Sequence, residues 1–171
     1  MADTSETRSI FVTGLKNAHA MENQALSIMK PQVSRIENYP DVAARLEQHI
    51  RETEGQIARI EDVLKSLAED HSSLKDMALS LTGSLAAMGH SVAGDEIIKN
   101  SLANFAFENY EIAAYKSLIT IAEHGGFPGL APALKSNLEE EIAMAKWLDD
   151  NLESVTMKFA SLKEAGERAK I

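Results

Sequence analysis

Apolar residues recur at intervals of three and four along four long stretches of the chain, and nowhere do they alternate strictly with polar ones as a half-buried strand requires. The first stretch carries Phe11, Leu15, Ala18, Ala25 and Met29, and predicts a helix from about Ser9 to Met29, closed by Pro31. The second, with Val42, Leu46, Ile60 and Leu64, predicts a helix from about Pro40 to Glu69, for which Pro40 and Asp41 suit the start. A third long helix opens at Gly94 and Asp95, runs to His124 and stops at Gly125-Gly126. The fourth opens near Pro128 or Pro132 and runs to Glu167 on Leu134, Leu138, Ala145, Leu148, Leu152, Val155, Phe159 and Leu162. Between the second and third lies a shorter helix, about Leu74 to Ser91, rich in Ala, Leu, Met, Ser and Gly. The expected fold is all-α: a four-helix bundle with one long crossover containing this additional shorter helix. Residues 1–8 are polar and read as a flexible N-terminus, and residues 9–167 as one bundle domain.

The residues that interrupt the apolar stripes carry the chemistry. Glu22 lies between Ala18 and Ala25, and Glu141 between Leu138 and Ala145, where the pattern calls for Leu or Ala. The second helix has His49 on its stripe and Glu52 three residues later, with Gln56 continuing the face; the third has Glu108 and Glu111 at the same spacing, followed by Tyr115. Residues three apart share a helix face and can converge on one point. A buried ionised carboxylate costs several kcal/mol unless paired, so about five of them would exceed the stability of a whole domain, about 5 to 15 kcal/mol. Arg45 is the main nearby cation. A pair of divalent metals neutralises such a set economically, and bundles of this kind bind metal pairs through inward Glu residues and Glu-x-x-His. The competing view is that each Glu, taken singly, is solvated, and that His49 is a structural histidine.

Composition narrows this further. The 171 residues suit one core, and the absence of cysteine excludes disulfides and thiolate sites, leaving harder metals: iron, manganese or zinc. A formal net charge of −9 with no basic stripe argues against nucleic acid and against an anionic membrane surface. No window approaches the roughly 20 apolar residues of a membrane span, and the N-terminus lacks a signal core, so a cytoplasmic address is expected.

Three segments, FVTGLKNAHAMENQAL (11–26), HIRETEGQIARI (49–60) and ENYEIAAY (108–115), resemble the YciE/YciF-type stress proteins, bacterial ferritin-like proteins of unclear biochemical function. The likeness covers roughly residues 9–152. It implies a rubrerythrin-like bundle, a homodimer, a role in stress responses and a dinuclear site, with two iron ions as the first expectation. Carried over, the ligands would be Glu22; Glu52 with His49 or Gln56 beside it; Glu108 and Glu111; and Glu141, with Glu140 as a neighbour. Ferritin-like enzymes usually carry Glu-x-x-His on the second and fourth helices; here Gly55 and Met144 stand where those histidines would be. The site is therefore richer in oxygen, which suits weak metal retention and a protein isolated metal-free.

Two functions follow. One is iron binding and oxidation, or peroxide removal, at the dinuclear site. The other is a non-enzymatic structural or interaction protein of the stress response with a vestigial site. No catalytic residue is identified, so enzyme status stays open. A ferritin cage is disfavoured because the last helix runs on without a short fifth one.

Overall fold

The computed structural model describes residues 4–69 and 93–171, and among these there are four long helices and no strand. They are α1 (Thr4–Val33), α2 (Pro40–Ser66), α3 (Glu96–His124) and α4 (Ala131–Glu164), the last preceded by a single 3₁₀ turn, Pro128–Leu130. The shorter helix expected at 74–91 falls outside the described residues.

α1 and α2 form one hairpin and α3 and α4 another; α1 also packs on α3, and α2 on α4. Neighbours run antiparallel. Lys16 pairs with Glu69 and Lys30 with Glu54 across the first hairpin, and Lys135 pairs with Glu123 across the second. All four stripes turn inward. Phe11, Leu15, Leu46, Ile60, Ile97, Leu134 and Met144 fill the core.

The helix ends depart from expectation for local reasons. α1 starts at Thr4 rather than near Ser9, so residues 4–8 are helical rather than loose. The Arg8 guanidinium donates to the Leu67 carbonyl at 2.6 Å and to Glu69 at 2.9 Å, fastening the first turns to the end of α2. α1 also passes through Pro31 to Val33, giving up the one ladder bond that Pro31 has no N–H to make. α2 stops at Ser66, and Glu69 beyond it is held by Arg8 and Lys16. On α4 the periodicity shifts: Asn137 is fully buried, and Leu138 and Leu152 only partly. Met144 is fully enclosed in the bundle.

Two glycines set spacing. A Cβ on Gly14 would stand 2.7 Å from the Leu118 side chain, which packs on α1 there. Gly126, at φ +97°, takes the left-handed turn that ends α3. Beyond α4 the chain folds back. The Ile97 amide donates to Lys170 O at 2.9 Å, Tyr39 Oη donates to Ala169 O at 2.7 Å, and Ala169 and Ile171 are buried.

Candidate metal centre

Halfway along the bundle each helix turns a polar side chain into the core. α1 presents Glu22, α2 presents His49 and Gln56, α3 presents Glu108, Glu111 and Tyr115, and α4 presents Asn137 and Glu141. The spacings of three, four and seven keep each set on one face. Glu22, His49, Gln56, Glu111 and Glu141 show no accessible surface, and Glu108 shows 3 %.

The side chains meet. One donor atom each from His49, Glu108, Glu111 and Glu141 lie within 4.8 Å of one another. His49 Nε2 stands 3.2 Å from Glu108 Oε2 and 3.5 Å from Glu141 Oε2. The Gln56 amide donates to Glu141 Oε1. Glu22 lies at the side of this group, where Tyr115 Oη donates to its Oε1; the Asn137 amide in turn donates to Tyr115 Oη at 2.9 Å.

Glu52 is not part of the convergence. It is part-exposed and stands behind His49: its Oε2 accepts from His49 Nδ1 at 2.9 Å and from Arg45 at 3.0 Å, and its Oε1 accepts from Gln48 at 2.7 Å. The reason is helical phase. The inward face of α2 runs His49, Thr53, Gln56, Ile60, which leaves position 52 at its edge. His49, rather than Glu52, is thus the α2 donor, and Glu52 fixes the ring so that Nε2 points inward, the arrangement found behind metal-bound imidazoles. Glu140 also lies outside, on Arg59. Met144 fills the place where a fourth-helix histidine would stand and supplies only a thioether. Asn137, absent from the sequence-based set, was legible from the spacing 134–137–141–144 once apolarity is not required of every member.

The electrostatics follow from burial without cations. Burial raises Glu22 and Glu111 well above the usual carboxylate range, aided by neighbouring carboxylates, and lifts Glu108 to about 8. Burial alone would lower His49, but Glu108, Glu141 and Glu52 push it up to about 12. Burial likewise opposes ionisation of Glu141, yet His49 and the neighbouring carboxyls hold it below its ordinary value. Glu52, bonded first to His49 and also to Gln48 and Arg45, falls to about 2. Without metal the surroundings thus favour charge on His49 and Glu141 and oppose it on Glu22, Glu108 and Glu111.

These residues fit a pair of hard or borderline divalent cations. Both oxygens of Glu111, together with Glu22 Oε2 and Gln56 Oε1, are buried without hydrogen-bond partners, while Glu108 Oε2 and Glu141 Oε2 face His49 Nε2. Each is a donor atom that a cation satisfies. Among the described residues no arginine or lysine takes their place; Arg45 and Arg59 are engaged one layer out.

The family described as "Domain of unknown function (DUF892)" matches residues 6–161. Protein YciF of Escherichia coli K12 is 30% identical over 142 residues, 78% of this chain and 82% of that protein. A crystal structure of a protein from Xanthomonas campestris pv. campestris superposes with a TM-score of 0.77 at 30% identity, covering 93% of this chain and 99% of that one. The crystal structure of the E. coli stress protein YciF gives 0.68 at 26% identity, covering 89% and 96%.

Proposed function

The chain belongs to the DUF892 family, with YciF among its relatives, and on that footing we propose that it is a stress-response protein binding two divalent cations, iron foremost, in the mid-bundle centre. The observation that carries this reading is the convergence of buried carboxylates from α3 and α4 on His49 of α2, with both oxygens of Glu111 lacking a partner. Bound iron would supply one-electron redox chemistry toward oxygen or peroxide. The protein's own residues do the rest. Glu22, Glu108, Glu111, Glu141 and His49 hold the cations, with Gln56 Oε1 beside them. Glu52, anchored by Arg45, fixes the His49 ring, and Tyr115, held by Asn137, holds one oxygen of Glu22. Met144, Leu46 and Phe11 help to exclude bulk water from the core.

A cytoplasmic, homodimeric protein fits this reading. No described helix is long and apolar enough to cross a membrane. The groove between α1 and α3 is lined without any carboxylate, lysine or arginine, and Ile10 and Tyr110 are more than half exposed at its edge. On a chain of net charge −9, an uncharged face is where two copies approach without repulsion.

The test is metal content. The protein is stripped with chelator and equilibrated with ferrous iron, or with manganous or zinc ion, then desalted and analysed. About two ions per chain support the proposal, and so does loss of binding in Glu22→Ala/Glu111→Ala. A folded protein that retains none defeats it.

The alternative, a non-enzymatic structural role with a vestigial site, has one observation in its favour. With His49 charged and the carboxyls protonated, the cluster can neutralise itself without metal. In that case Glu22→Ala/Glu111→Ala leaves both metal content and stress survival unchanged.

A further inference from the structure

A closed centre needs a way in. Among its carboxylates Glu22, Glu111 and Glu141 have no accessible surface, and Glu108 alone keeps a trace, 3 %. Glu108 is also the floor of a small cleft between α1 and α3. Ile28 and Ala103 form its part-exposed rim; Met29, Asn104 and Phe107 are its buried walls. The cleft volume is about 10 Å³, room for about one water.

The charges around the centre are unequal. Both nearby arginines stand on the α2–α4 side, Arg45 bound to Glu52 and Arg59 bound to Asn137 and Glu140. The cleft on the α1–α3 side is lined by no lysine or arginine. A divalent cation approaching a chain of net charge −9 meets arginines already paired with carboxylates on one side, and on the other a cleft over Glu108 whose lining holds no basic side chain.

We propose that the α1–α3 cleft over Glu108 is the cation entry route, and that its width sets how fast metal enters and leaves. This rests on the metal-binding reading above. A hydrated divalent ion exceeds the cleft, so passage requires shedding water and a transient parting of Ile28 from Ala103. A multidentate chelator cannot follow the ion inward. Metal removal is therefore limited by escape through the cleft, and its rate does not depend on chelator concentration.

The experiment mixes chelated full-length protein with manganous chloride and follows loss of the free-ion electron paramagnetic resonance signal, with bound metal measured at equilibrium. Ala103→Leu narrows the rim and Ile28→Ala widens it; both positions are part-exposed, so both variants are expected to fold. The expected result is uptake and chelator-driven release slowed about tenfold by Ala103→Leu and accelerated several-fold by Ile28→Ala, with final stoichiometry unchanged. Equal rates in all three proteins overturn the route while leaving the metal-binding reading intact. Wild-type protein that binds no metal overturns both.

Discussion

Two carboxylate sites are buried in this bundle, and they are neutralised in different ways. Glu96, at the end where α3 begins, has no exposed surface, yet both of its oxygens face cations. Arg35 donates to Oε1 through Nε at 3.0 Å and Nη2 at 2.7 Å, and Lys170 stands 3.2 Å from Oε2. Burial opposes its ionisation, but Arg35 and Lys170 prevail and its pKa is lowered. At mid-bundle, four carboxylates share one histidine, and Glu22, Glu108 and Glu111 are driven the other way by burial. The fold can bring arginine and lysine to a buried carboxylate when a structural anchor is needed. At the centre the described residues bring His49 instead of an arginine or lysine.

The sharpest way to break this comparison is to remove one central carboxylate. Glu111→Gln should weaken metal binding at least about 100-fold, about 2.7 kcal/mol, by competition against a chromophoric chelator. The same variant, chelated, should melt no lower than wild type, because an uncompensated buried acid has been removed. The opposite pattern is expected at the end site. Arg35→Ala should cost about 2 kcal/mol of folding stability in urea, less than a fully buried pair because Arg35 is part-exposed and Lys170 remains. Metal stoichiometry should not change. Next comes the residue behind the histidine. Glu52→Gln should lower metal affinity about tenfold, about 1.4 kcal/mol, while keeping the stoichiometry, and Arg45→Ala should act in the same direction but more weakly.

The smallest effect sharpens the contrast through pH. Glu96 has a folded-state pKa below its ordinary value of 4.5, so its contribution is present above 4.5 and lost as pH falls through the folded value. Acid melting of wild type below pH 4.5 should therefore be steeper than that of Glu96→Gln. Glu108, raised to about 8, has the opposite sign: its contribution is complete below 4.5 and lost as pH rises through 8. Chelated protein should melt lower at pH 8 than at pH 5, and Glu108→Gln should reduce the difference.

Periodicity made most of the fold legible. The stripes from Phe11 to Met29 and from Val42 to Leu64 are buried along their whole length, because a helix that packs on two neighbours tolerates few departures from one face. The inward Glu22 and Glu141 were legible as breaks in apolar stripes, and Glu108 and Glu111 by their spacing of three. The partition between His49 and Glu52 was harder to read, since residues three apart lie on one broad face and a small rotation decides which is innermost. Asn137 was masked by its neighbour Leu138, which satisfies an apolar pattern but is only partly buried. The Glu96 site had no signature at all. Its partners, Arg35 and Lys170, come from a turn and a returning tail, brought together by the fold and by no repeat in the chain.

The missing side chain at position 14 has a bearing on the donor atoms two turns away. Because no Cβ stands at position 14, the tip of the Leu118 side chain, from α3, packs directly on α1 there. Glu22 and Glu111 hang from those two helices like jaws on a shared hinge. A single methyl at residue 14 would press first on the Leu118 side-chain tip and turn it aside, without touching either carboxylate.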